Sequence, residues 1–267
     1  MAQPLAIHYG KDAVSVYRLD GVGNLFAAEV TIVLFGDSFL PSYTEGDNKL
    51  VVATDSMKNF VHRTALDYES SSLEEFLELV GTRFLAAYGH VERVALRARE
   101  VPFARRGDAV LQRVYDDVAV AELELSRDGM VSHRSGREGL HLVKLAGSAF
   151  SGFLRDEYTT LPDLAERPLY VHLDVHWRHL DFARRVASED VRDALAATFD
   201  DFVSESIQHL VYEMGARALE RFSEIAEISF AGQNRLWDTA QVSEDERVRV
   251  LTDARPPFGV IGLTLAR

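Results

Sequence analysis

Three polar residues at alternate positions in "YVHLDVHWRH", His172, Asp174 and His176, would share one face of a strand. Two imidazoles and a carboxylate form a donor set suited to zinc or non-haem iron. The spacing argues against a single ion, because alternate residues of a strand lie roughly 6.6 Å apart whereas metal–ligand bonds are about 2 Å long. A second stretch, "VVATDSMKN" at residues 51 to 59, passes from apolar residues through Thr54, Asp55 and Ser56 into a helical pattern. Side-chain oxygens there can cap the free N–H groups of a helix N-terminus, and the same N–H groups can instead hold an anion or a carbonyl. Capping is the simpler reading. Arg155-Asp156-Glu157 and Asp200-Asp201 offer paired carboxylates, but nothing beside them in sequence would separate their pKa values, so they read as solvated charges. There is no glycine-rich dinucleotide or phosphate loop, no HExxH and no GxSxG.

The elements that must position these residues follow a repeated order. "AVSVYRL" and "NLFAAEVTIVLFG" flank Asp20-Gly21-Val22-Gly23 and predict a long hairpin. A strand is expected at 49–53 and a helix over 55–66. Ser72 and Glu75 form a capping box for a second helix, with Leu73, Phe76, Leu77, Val80, Phe84 and Tyr88 on one face. "RVALRAREVPF" and "VAVAELEL" predict two more strands, closed by the turn cluster Ser126-Arg127-Asp128-Gly129. The second half repeats the order: strands in 139–146 and "LYVHLDVHW", a long helix from about Val191 to Phe222, then strands in "EIAEISFAG" and "FGVIGLTLA". Phe199, Phe202, Val203, Leu210, Val211 and Met214 give that helix a core stripe. The expectation is an α+β chain of two β-β-α-α-β-β repeats, residues 1–133 and 134–267, joined near 129–138. Helices cover one face of each antiparallel sheet, and other subunits could occupy the bare face.

With 267 residues, 47% of them hydrophobic, the chain can bury a substantial core. A net charge of -13 opposes non-specific nucleic-acid binding, which needs a cationic surface. Arg93, Arg97, Arg99, Arg105 and Arg106 do cluster, but acidic residues flank them. The absence of cysteine removes disulfides, thiolate metal sites and cysteine nucleophiles. No apolar run approaches the roughly 20 residues that span a bilayer. The start, "MAQPLAIHYGKD", lacks the regions of a signal peptide, and Leu-Ala-Arg at the end is not a peroxisomal address, so a cytoplasmic location is expected.

"YGKD" at 9–12, "VVATDSMKN", "GFLRDEYTTL" at 152–161, Gln208 in the predicted long helix and the final "RPPFGVIGLTL" occur in an order that resembles urate oxidase, the cofactor-independent uricase family, in its bacterial form. The resemblance covers essentially the whole chain. It implies the T-fold: tandem β-β-α-α-β-β units, with four chains stacking their sheets into a tunnel and helices outside. It implies that Lys11 is the catalytic lysine and Thr54 its partner in a proton relay, and that Asp55 offers its backbone N–H to the purine. Phe150 would stack on the ring, Arg167 and Gln208 would hold its edges, and Ile207 would contribute backbone. Asn234 would help place oxygen or water above the ring. A homotetramer with sites shared between subunits, no cofactor, urate and dioxygen as substrates, and 5-hydroxyisourate and hydrogen peroxide as products complete the implication. One position departs: many members carry a relay histidine two residues after this asparagine, where "QNRLW" has Leu236. Bacterial members with a shape like "NNRTW" lack it too.

The chemistry calls for these residue types. Cofactor-free oxidation requires the purine itself to supply electrons, which is easier once a second proton has left, so the site needs a base and a means of stabilising a dianion. A lysine is a base only when neutral, which requires desolvation or a neighbouring cation. An arginine fork pairs in-plane with two acceptors, and a glutamine both donates and accepts. A threonine hydroxyl can pass a proton between base and substrate. Two rival readings are a non-catalytic purine-binding T-fold protein, with Leu236 marking a lost relay, and a metal-dependent oxygenase using His172, Asp174 and His176.

Overall fold

The computed structural model describes residues 6–267. β1 (His8–Leu19) and β2 (Leu25–Phe35) pair antiparallel across a turn that Asp20 closes by accepting from the N–H groups of Val22 and Asn24. Alternation along β2 turns Val30, Ile32 and Leu34 to one side, where none retains exposure. After a 3-10 turn at Asp37–Phe39 and the short α1 (Leu40–Thr44), two helices cover that side: α2 (Thr54–Leu66) and α3 (Leu73–Ala87). Met57, Val61, Phe76, Leu77, Val80 and Phe84 are among their buried residues, each with no exposure left. Each such side chain contributes about 1.5–3 kcal/mol when fully buried. Ser72 caps α3, its Oγ accepting from the Glu75 N–H at 3.3 Å.

β3 (Arg93–Glu100) returns beside β2. A small hairpin of β4 (Phe103–Arg105) and β5 (Leu111–Arg113) follows, and β6 (Val118–Ser126) pairs with β3. The clustered arginines here are largely engaged: Arg93 with Glu124, Arg97 with Glu122 at 3.3 Å, Arg105 with the Gly23 carbonyl at 2.8 Å and Arg106 with Gln112 at 2.9 Å.

The chain divides into two units, Met1–Ser135 and Gly136–Arg267. The division falls inside β7 (Gly129–Lys144), one continuous strand in the stretch where a join is expected. The second unit continues with β8 (Leu169–His179), α4 (Ser188–Asp201), α5 (Ile207–Arg221) and β9 (Ile225–Asn234). A hairpin of β10 (Asp238–Val242) and β11 (Arg249–Thr252) precedes β12 (Gly259–Ala266). Sheet neighbours run β1-β2-β3-β6 in the first half and β7-β8-β9-β12 in the second. Each half therefore places a helix pair between its second and third strands and a small hairpin between its third and fourth. In the second unit Leu169, Val171, Leu173, Val175 and Trp177 of β8 pack with Val191, Leu195 and Phe199 of α4 and Leu210, Val211 and Met214 of α5.

Two expectations need correction. Residues 49–53 form no strand: the Val51 N–H is spent on a local turn to the Asn48 carbonyl and the Val52 N–H on the Tyr9 hydroxyl, so neither joins a ladder. The long helix is two helices. α4 ends where the buried Lys144 Nζ donates to the carbonyls of Phe199 and Asp200, Phe202 turns extended at φ -85° and ψ 118°, and Ser206 starts α5. The core stripe consequently loses Val203, which is 68% exposed.

Candidate functional site

In the first unit Lys11 sits on β1 opposite Ile32, and the ladder shifts register between Lys11 and Val14 with Ala13 at φ 53°. Such a bulge bends a strand and re-aims its side chains. The preceding residue must be glycine: a Cβ on Gly10 would lie 2.1 Å from the Ile32 carbonyl oxygen. Asp12 accepts from the Thr31 hydroxyl, the main reason its carboxyl stays below the usual range.

Thr54 is the first residue of α2, which packs on β1 with His62 Nε2 3.0 Å from the Ser15 carbonyl oxygen. The expected capping does not occur. The N-cap position is Ala53 and no side chain caps this end. The Asp55 carboxylate is held instead by Lys58 Nζ at 2.6 Å and Asn59 Nδ2 at 2.9 Å. The hydrogen bond and charge of Lys58, then Asn59 and the Lys11 charge, keep that carboxyl below its ordinary value. Thr54 and Asp55 are exposed, so the positive end of α2 faces outward beside a hydroxyl and an amine.

In the second unit three segments without a shared sequence pattern are drawn together by backbone bonds. Ser148 bridges Ser204 in parallel, and Phe150 bridges Leu164 antiparallel. The Arg167 N–H donates to the Ser148 carbonyl at 2.9 Å. The Arg167 guanidinium carbon consequently lies 5.2 Å from the centroid of the Phe150 ring, which also stacks on Phe153 at 4.8 Å and 13°. Arg167 is 7% exposed, and among the described residues its Nε has no hydrogen-bond partner. Burial pulls its pKa below the usual arginine value. Just past Ser204, Ser206 starts α5 by accepting from the His209 N–H at 3.1 Å. Ile207 is buried in the first turn, while Gln208 is exposed there and does not lie mid-helix.

Asn234 ends β9 opposite Val171 and Gly259. Its register puts it on the face of Val171, the side the helices cover, and its Oδ1 is buried with no partner among the described residues. Leu236, two residues on, packs against the apolar core of the same unit.

The three candidate metal ligands diverge. His172 stacks on His141 with centroids 3.8 Å apart, Asp174 Oδ1 accepts from the Gly139 N–H at 2.8 Å, and His176 Nε2 lies 3.3 Å from Glu138 Oε1. Among the described residues no three His, Cys, Asp or Glu side chains gather as a metal site. Burial first, then the charges of His141 and Arg235, lower the His172 pKa. The acidic pairs are surface groups: Asp156 accepts from Thr159 and the Tyr158 N–H in a local turn, and Asp201 pairs with Arg217 at 3.1 Å.

Chemically, the first unit presents an amine, a hydroxyl and an uncapped helix end. The second presents an aromatic ring, a buried cationic fork, a helix N-terminus with an exposed amide, and a buried amide oxygen. A planar anion suits the second set. Sequence reasoning missed Ser206, whose signal was a serine directly before an apolar helical run. It also missed Tyr9, whose Oη accepts from the Val52 N–H at 2.8 Å and which no local pattern marks.

A family model described as Uricase matches residues 7–109 and 133–262. The chain is 38% identical to a uricase of Halalkalicoccus jeotgali, with 95% of each chain covered. It is 37% identical to a uric acid degradation bifunctional protein of Bacillus sp. strain TB-90 over 95% of its own length. It spans about three-fifths of the bifunctional relatives it matches, 59% and 60%. The structure of urate oxidase from Bacillus sp. TB-90 superposes with a TM-score of 0.91 at 36% identity, covering 98% of this chain and 100% of that one. The architecture described above is that of the T-fold. No helix among the described residues is long and apolar enough to cross a membrane. The chain belongs to the uricase family.

Proposed function

We propose that this protein is a urate oxidase, converting urate, dioxygen and water into 5-hydroxyisourate and hydrogen peroxide without a cofactor. The observation that carries the reading is Arg167, buried over Phe150 with Nε unpartnered among the described residues, on a segment that Ser148 links to Ser204 just before α5. A buried guanidinium is destabilising unless a ligand completes its hydrogen bonds, and a planar anion with two in-plane acceptors does so. Phe150 supports the ring, Gln208 and the backbone at Ile207 read the opposite edge, and Asn234 places oxygen or water. Lys11 takes a proton from urate through the Thr54 hydroxyl, while the Asp55 N–H at the positive end of α2 holds a purine heteroatom. Two electrons then pass from the substrate to dioxygen, which leaves as peroxide with two protons, and water supplies the new hydroxyl.

The working form in this reading is a homotetramer, in which Lys11 and Thr54 of one subunit meet Phe150, Arg167 and Gln208 of its neighbour. The protein acts in the cytoplasm, without nucleic acid or membrane as partner.

An aerobic assay with urate and excess chelator, following urate absorbance and peroxide together, tests the reading. Urate loss matched by peroxide is the expected result. Binding of urate analogues without turnover would favour the purine-binding alternative, and activity lost to the chelator the metal-dependent one.

A further inference from the structure

We propose that Tyr9 is a positioning residue that fixes Thr54 relative to Lys11 through the backbone of Val52, an inference that rests on the uricase reading above. Tyr9 and Lys11 are two residues apart on β1 and share one side of it. The Tyr9 Oη accepts from the Val52 N–H at 2.8 Å, and Val52 lies two residues before Thr54. One strand thus carries both the proposed base and the peg that holds the start of α2.

Among the described residues, the Tyr9 bond is the side-chain link between this stretch and β1. Residues 51–53 belong to neither helix nor strand. On the N-terminal side of Val52 the tethers are the Val51 N–H to the Asn48 carbonyl at 3.0 Å and His90 Nε2 to the Leu50 carbonyl at 2.8 Å, both further from Thr54; on its C-terminal side the Ala53 carbonyl accepts from the Met57 N–H at 3.1 Å, a bond within α2 that does not tie the helix to β1. Ala53 has no polar side chain and α2 has no side-chain cap, so the Val52 bond is the last side-chain hold before Thr54. The peg is itself fixed: the Tyr9 ring meets buried Phe39 edge-on, 4.9 Å between centroids and 89° between planes. Burial raises the phenol pKa, which keeps Tyr9 neutral and its geometry constant across the working pH range.

Tyr9→Phe keeps the ring against Phe39 and removes the acceptor. Turnover of urate should fall about tenfold with KM changed less than about twofold, because a small misplacement of reacting groups acts on the transition state more than on binding. In a Thr54→Ala background the same substitution should have little further effect, as expected of residues that act as one unit. An unchanged kcat in Tyr9→Phe, or the same fold-loss in both backgrounds, overturns the proposal. Amide hydrogen exchange reads the tether without reference to activity: Val52 and the first turn of α2 should exchange faster in Tyr9→Phe while α3 keeps its protection. Unchanged exchange at Val52 refutes the tether, whereas a wild-type protein that does not consume urate refutes the uricase reading.

Discussion

The guanidinium of Arg167 lies over the ring of Phe150, buried, and its Nε is left without a partner among the described residues. A core that tolerates this arrangement holds it at a cost in stability, since a buried charge lacking hydrogen bonds is destabilising. Arg167→Met should therefore raise the unfolding free energy by about 1 kcal/mol or more, while kcat/KM for urate falls at least about 100-fold. Thermal denaturation alongside steady-state kinetics checks the pair of effects. A variant that loses activity and stability together would mean Arg167 is a structural cation.

Ser206 ties the first turn of α5, and with it Gln208, to the backbone through its bond from the His209 N–H. Ser206→Ala should destabilise the protein by about 1 kcal/mol, the usual consequence of losing an N-cap. Because Gln208 sits two residues, about half a turn, beyond the cap, KM for urate should rise more than kcat falls. Chemical denaturation and initial rates separate the two.

The main-sheet strands and the first helix pair were legible because their signals are local: Val30, Ile32 and Leu34 alternate, and Ser72 precedes an apolar helical face, whereas the expected strand at 49–53 did not form and the two small hairpins were not foreseen. The break between α4 and α5 was not. Phe199, Leu210, Val211 and Met214 continue one helical stripe across it, and what ends α4 is Lys144, more than 50 residues earlier in the chain. The same limit applies to the site. Phe150, Arg167 and Ile207 could be grouped only by resemblance, because the bridges Ser148 to Ser204 and Phe150 to Leu164 join segments with no periodic pattern. Capping at Thr54 failed as an expectation because Asp55 found Lys58 and Asn59, one turn along the same helix, before any backbone N–H.

Leu236 packs on the core of the second unit, where many family members place a histidine. An imidazole there would bring a polar group into apolar surroundings. Leu236→His should destabilise the fold by about 1–3 kcal/mol and should not raise kcat. Denaturation midpoints and urate turnover decide the matter; a gain in kcat would show that the wild-type protein lacks a relay it can still accommodate.

His172 has a pKa lowered by burial and by the charges of His141 and Arg235. Its unfolded-state value is about 6.5, so below that pH the unfolded chain binds the proton more readily than the folded one. The stability owed to neutral His172 is present above pH about 6.5 and drains away as pH falls toward the depressed folded-state value. Replacing the residue, as in His172→Gln, should flatten the dependence of Tm on pH on the acid side of neutrality. Melting curves of both proteins across that range give the comparison, and parallel slopes would remove His172 from the account.

Lys11 and Arg167 lie in different units of the chain, each among its own proposed site residues. If subunits exchange halves as proposed, Lys11→Ala and Arg167→Ala chains are each inactive alone yet complementary when mixed. Random assembly would give about a quarter of the sites both halves intact, so mixed tetramers should recover activity of about that fraction. The measurement is urate turnover after co-refolding, with subunit exchange verified by differently tagged chains. Verified mixing without recovered turnover would mean that every site draws Lys11 and Arg167 from one chain, because only then would each site carry one of the two defects.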